Sequence, residues 1–132
     1  MTRRHILCRA GVCLALLVLA ASGSARPAVA AQDTVIYIGA DDCKYCREWE
    51  AQYERQFKAL CESRNVKFRA VQVATLRNIR DERYWPSDLR PVLSMFSSRS
   101  GSPHFLAISG SRVIVDIHGI VNWQKQILPL VE

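Results

Sequence analysis

Two cysteines three positions apart are the residues of this chain best suited to chemistry: Cys43-Lys44-Tyr45-Cys46. On the first turn of a helix that spacing brings two sulfurs within bonding distance, and the helix N-terminus stabilises a thiolate on the leading cysteine. The chemistry would be thiol–disulfide exchange. Cys43 would be the exposed nucleophile that attacks a substrate disulfide, and Cys46, turned to the apolar side, would resolve the mixed disulfide. A structural metal half-site is the other use of such a pair. Four-coordinate zinc would need two more ligands, with Cys61 and His104 or His118 as candidates, but no second closely spaced ligand pair follows and no metal is expected. Cys61 lies 18 residues beyond Cys43, about 27 Å along a helix that rises about 1.5 Å per residue, too far to pair with either motif cysteine. It reads as a buried, inert thiol.

A strand and a helix must position the pair. Thr34 to Gly39 is a short apolar, β-branched run, the pattern of a buried strand. Asp41 and Asp42 follow as helix N-caps, and apolar residues recur at Cys46, Trp49, Tyr53, Phe57 and Leu60. That recurrence marks one face of a helix over residues 43–62, stopped at Asn65, with Trp49, Tyr53 and Phe57 in the core. A second strand is predicted over 66–74, where Lys67 and Arg69 suggest a sheet edge.

Further along, Leu76, Ile79 and Tyr84 suggest a helical stretch, interrupted at Trp85-Pro86, and Pro91 opens a short helix through Ser98. Trp85 is a candidate substrate-facing aromatic, whereas Arg77, Arg80 and Arg83 read as a solvated helix face. After the turn Ser100-Gly101-Ser102-Pro103, His104 to Ile108 and Arg112 to Ile117 form a hairpin across Ser109-Gly110-Ser111. A closing helix runs from Asn122 to Leu130, with Trp123, Ile127 and Leu130 on one face. The order β-α-β-α-β-β-α predicts an α/β domain: a four-stranded mixed sheet, its first pair parallel, with helices on both faces.

The charge is unevenly placed. The chain has 132 residues, 18 Lys+Arg against 12 Asp+Glu, a formal net charge of +6 and five cysteines. Arg3, Arg4, Arg9 and Arg26 lie before residue 32, and no acidic residue does. A basic start, an uncharged run from Ala10 to Ala25 and the small-residue stretch Ala28-Val29-Ala30 make residues 1–31 a predicted signal peptide, possessing an arginine pair that also suits a twin-arginine route. Residues 32–132 then form one domain, in the periplasm or secreted. That domain has 14 basic and 12 acidic residues, which removes the case for nucleic acid as a partner. Cys8 and Cys13 leave with the peptide, so Cys43, Cys46 and Cys61 meet an oxidising compartment.

On these residues the chain resembles the thioredoxin superfamily. The strand, the C-x-x-C, the long helix, the second strand, the Gly-Ser-Pro turn, the hairpin and the final helix follow the family's order. The resemblance implies a Cys43–Cys46 disulfide in the oxidised form. It also implies that Pro103 is the family's cis-proline, offering backbone to an extended substrate, with Ser102 before it. Lys44, Tyr45, Ser102, Pro103 and His104 would then be the substrate-binding set. The Cys-x-Tyr-Cys motif is similar to those of glutaredoxins and periplasmic disulfide isomerases. The implied activity needs no cofactor beyond the two cysteines. The implied partners are protein dithiols or disulfides and a membrane or periplasmic redox protein, met by a monomer, since no dimerisation module precedes the fold. A reductase is favoured on that ground; an oxidase or isomerase, or a non-catalytic binding or zinc-binding module, are the alternatives. Two departures stand out. Asp42 and Lys44-Tyr45 replace the residues thioredoxins carry around and between the cysteines. Tyr37 occupies the strand position, six before Cys43, where they carry a buried carboxylate, so no base for Cys46 is evident.

Overall fold

The computed structural model describes residues 33–95 and 101–132. The predicted leader over 1–31 and the predicted helix end at Ser98 lie outside them. Four strands, β1 (Thr34–Ala40), β2 (Lys67–Val73), β3 (His104–Ser109) and β4 (Arg112–His118), form one mixed sheet in the order β2-β1-β3-β4. β1 pairs in parallel with β2 and antiparallel with β3, and β3 pairs antiparallel with β4. β1 therefore lies inside the sheet and is apolar on both sides, while Lys67 and Arg69 lie on an edge strand as their charge suggested.

The helix that follows β1 is continuous in three pieces: α1 (Lys44–Trp49), a π-helical turn (Glu50–Glu54) and α2 (Arg55–Ser63). It ends in a Schellman motif. Asn65 takes a left-handed conformation, φ 56°, and the Asn65 and Val66 amides donate to the Glu62 and Cys61 carbonyls at 3.1 and 2.9 Å. The C-terminal helix likewise has three pieces, α3 (Ile120–Asn122), a π turn (Trp123–Ile127) and α4 (Leu128–Val131).

Register separates the two faces of the sheet. Tyr37 is opposite Ala70 and Phe105, and its ring stacks on Trp49 with centroids 4.6 Å apart. Trp49 in turn meets Phe57, Phe68, Phe105 and Trp123. Both helices thus cover the Tyr37 face. On the other face lie Ile36, Ile38, Val71, His104 and Leu106, in register with Arg69, whose ion pair with Asp88 holds the segment 75–95 against them.

That segment corrects the expected element order. In place of a second α-helix it makes three single 3-10 turns, Leu76–Asn78, Glu82–Tyr84 and Arg90–Ser94. Among the described residues α-helices therefore do not cover both faces. The physical reason is local: Trp85, before Pro86, is held extended at φ −93° and ψ 137°, and Asp81 caps a new turn through the Arg83 amide. Nor does Trp85 face a substrate. It is 2% exposed, with Nε1 donating to the Ile79 carbonyl. The closing helix is corrected by one residue: Val131 is buried and Leu130 exposed. A π turn holds more residues than an α turn, so the apolar face passes from Trp123 and Ile127 to Val131.

Candidate functional site

Cys43 and Cys46 stand where β1 hands over to the helix. The chain turns at Asp41 and Asp42, and the Cys43 amide donates back to the Ala40 carbonyl at 3.1 Å. Neither aspartate caps the helix. Asp41 takes a hydrogen bond from Gln72 Nε2 at 2.9 Å, and Asp42 takes one from the Leu76 amide at 2.8 Å, which ties the 3-10 segment to the motif. The cap is Cys43 itself, whose Sγ accepts from the Cys46 amide at 3.1 Å. The two cysteines form a disulfide with Cα atoms 5.2 Å apart.

Cys46 is fully buried, as its place on the apolar face required. Cys43 was expected at the surface, yet it is only 4% exposed, because its sulfur turns inward to the Cys46 amide and Sγ. The exposed part of the motif is Lys44-Tyr45, with Tyr45 59% exposed and the Lys44 ammonium 5.9 Å from its ring centroid.

Beside Tyr45 runs a groove of about 570 Å³, lined by Tyr45, Glu48, Tyr53, Ser102, His118 and Val121 among others. It brings Tyr45 and Ser102 to one surface. The Ser102–Pro103 peptide is cis, Pro103 is buried, and its carbonyl accepts from the Gly119 amide at 2.8 Å. Lys44, Pro103 and His104 are not among the groove's lining residues. Glu48, Tyr53 and the start of the C-terminal helix were not anticipated there, since only the docking of that helix against the first creates the groove.

His104 lies on the sheet face away from the helices, 1% exposed, with Nε2 2.7 Å from Asp116 Oδ1. Burial pushes its pKa below the ordinary value, and the neighbouring Asp116 only partly offsets this. The folded protein therefore resists a proton that the unfolded chain accepts below about pH 6.5, so stability must fall as pH drops through that value. Stability is expected to fall between about pH 7.5 and 5.5, by at most about 1.4 kcal/mol per pH unit from this group, and the melting temperature with it. His104→Gln should flatten that slope; an unchanged slope in the variant would assign it to other groups.

Tyr37 carries a contact that no sequence pattern announced: its hydroxyl donates to Glu50 Oε1 at 2.6 Å. Burial, then the hydrogen bond to Glu50, raise the phenol pKa far above the physiological range. The hydroxyl lies against the backbone of Gly39, so closely that a Cβ there would collide with it. Cys61 is buried and its thiol is pushed up to about 11 by that burial, so it remains protonated. Among the described residues no group of three or more His, Cys, Asp or Glu side chains gathers as a metal site, and no helix is long and apolar enough to cross a membrane. No family model matches the chain, and no curated protein matches it.

Proposed function

We propose that this protein is an exported thiol–disulfide oxidoreductase of thioredoxin-like build, a reductase of protein disulfides. The observation that carries the reading is the Cys43–Cys46 disulfide at the first turn of the helix, where the Cys46 amide already holds the Cys43 sulfur. In the reduced protein the same amide and the helix end favour a thiolate at Cys43. That thiolate attacks one sulfur of a substrate disulfide, and the other sulfur leaves as a thiol. Cys46 then attacks Cys43 Sγ, releases the second substrate thiol and restores the disulfide.

The parallel β1/β2 pair flanking the motif helix, and the Ser102–Pro103 turn opening an antiparallel hairpin, support the thioredoxin-like reading. The groove between Tyr45 and Ser102 suits an extended polypeptide carrying the disulfide. In this reading Lys44 and Tyr45 meet the substrate at the surface and Ser102, with the backbone of the cis turn to Pro103, bounds it. Export through residues 1–31, action as a monomer, and reduction by a membrane or periplasmic dithiol partner complete the proposal.

Trapping tests it. Cys46→Ala should leave Cys43 in mixed disulfides with substrate proteins, seen on non-reducing gels and lost on adding dithiothreitol. An absence of adducts, together with no reduction of insulin by the wild type, would sink the reading.

A further inference from the structure

Cys46 has no exposed surface, so in the reduced protein its thiol proton has no direct route to water. The resolving step needs that proton removed, because the thiolate is the nucleophile. Glu50 stands one helical turn beyond Cys46, a spacing that places two side chains on one face with Cβ atoms about 5–6 Å apart. Its carboxylate is drawn toward the sheet by the 2.6 Å hydrogen bond from Tyr37, whose ring is clamped between Trp49 and Phe105. Glu50 is half-buried and has no ion pair among the described residues. The nearest cation on its own helix turn, Arg47, is committed to the Asp41 carbonyl at 2.6 Å. The carboxylate is thus uncommitted to any positive charge, aimed inward, and adjacent along the helix to the buried thiol.

We infer that Glu50 accepts the proton of the Cys46 thiol in the resolving step, with Tyr37 as the positioning residue that holds the carboxylate. The inference rests on the redox reading above. In the mixed disulfide between Cys43 and a substrate sulfur, Cys46–SH gives its proton to the Glu50 carboxylate. The Cys46 thiolate attacks Cys43 Sγ, the Cys43–substrate S–S bond breaks, and the Cys43–Cys46 bond forms. The departing substrate thiolate takes up one proton as Glu50 returns one to solvent. Two electrons pass from the protein dithiol to the substrate disulfide, and Glu50 ends as it began.

The test is a single turnover of reduced full-length protein, with Cys8→Ser and Cys13→Ser removing the leader thiols and Cys61 buried, against dithiobis(nitrobenzoate), which releases one coloured thiolate when Cys43 attacks and a second when Cys46 resolves. Glu50→Gln keeps an oxygen acceptor for the Tyr37 hydroxyl but cannot take a proton. It should slow the second release about a hundredfold near pH 6.5, the scale of lost general-base catalysis, and leave the first nearly unchanged. The gap should narrow as pH rises, as hydroxide replaces the missing carboxylate as proton acceptor, but burial of Cys46 should keep it from closing fully. Tyr37→Phe, which keeps the stacked ring, should slow the second release less and shift its pH profile in the same direction. A second release in Glu50→Gln with the wild-type rate and pH profile would overturn the inference, as would equal slowing of both releases at every pH. A wild type that gives no second release would instead overturn the redox reading itself.

Discussion

Cys43→Ser is expected to bring insulin reduction down to the uncatalysed rate while leaving the fold in place. A serine hydroxyl is not ionised near neutral pH, so nothing at position 43 could attack a disulfide sulfur. The structural role of the residue would survive, because a serine oxygen is a preferred N-cap and can accept from the Cys46 amide as Cys43 Sγ now does. The proper reference is the reduced wild type, which lacks the same covalent link. Circular dichroism and melting of the variant should match that reference, and turnover should not. Activity near the wild-type level would show that the attack does not begin at Cys43, and the assignment of nucleophile and resolving thiol would fail.

The largest effect on stability is expected from Trp49→Ala. Trp49 is fully buried at the junction of sheet and both helices, against Tyr37, Phe57, Phe68, Phe105 and Trp123. Truncating such a side chain removes its burial and leaves a cavity, a cost of about 3–5 kcal/mol. A domain of this size holds only about 5–15 kcal/mol in all, so the variant should be marginal at room temperature. Urea unfolding followed by circular dichroism would measure the loss. A loss below about 1 kcal/mol would mean that neighbouring rings collapse into the space, and that Trp49 does not hold the helices to the sheet.

How much of this was legible depends on where periodicity carries information. β1 and the long helix were readable to within a residue or two, because an apolar run and a recurring apolar face have few alternatives. The edge position of β2 followed from its lysine and arginine. Between residues 75 and 95 the pattern failed, since single 3-10 turns are too short to repeat. Leu76 and Tyr84, two of the residues that suggested a helical stretch, are exposed, and Trp85 beside them is core. Leu130 was misplaced because a π turn shifts the face and leaves no mark of its own in a run of apolar residues.

At the site, Cys43, Cys46 and the turn ending in Pro103 were legible from types and spacing. The inward turn of Cys43 was not, because it depends on which way one sulfur points. The Tyr37–Glu50 bond joins strand to helix across 13 residues, and no local pattern records such a pair. Glu50 could have been singled out only by counting one turn on from a cysteine already assigned a proton to lose. His104 next to Pro103 suggested a surface role, whereas strand alternation turns it under the sheet to Asp116.

The close approach of the Tyr37 hydroxyl to Gly39 reaches beyond one molecule. The ring cannot swing aside, being stacked on Trp49 and packed on Phe105, so a chain that keeps this tyrosine must keep the glycine two residues on. Glycine is otherwise a poor strand residue, costly in conformational entropy and without a side chain to pack. The two positions therefore behave as one unit of inheritance. In any descendant, position 39 could vary only once the whole tyrosine ring is lost and the Gln72 side chain, whose oxygen also crowds a Cβ there, gives way, and a side chain at 39 arising first would expel the phenol and leave the Glu50 carboxylate without its donor.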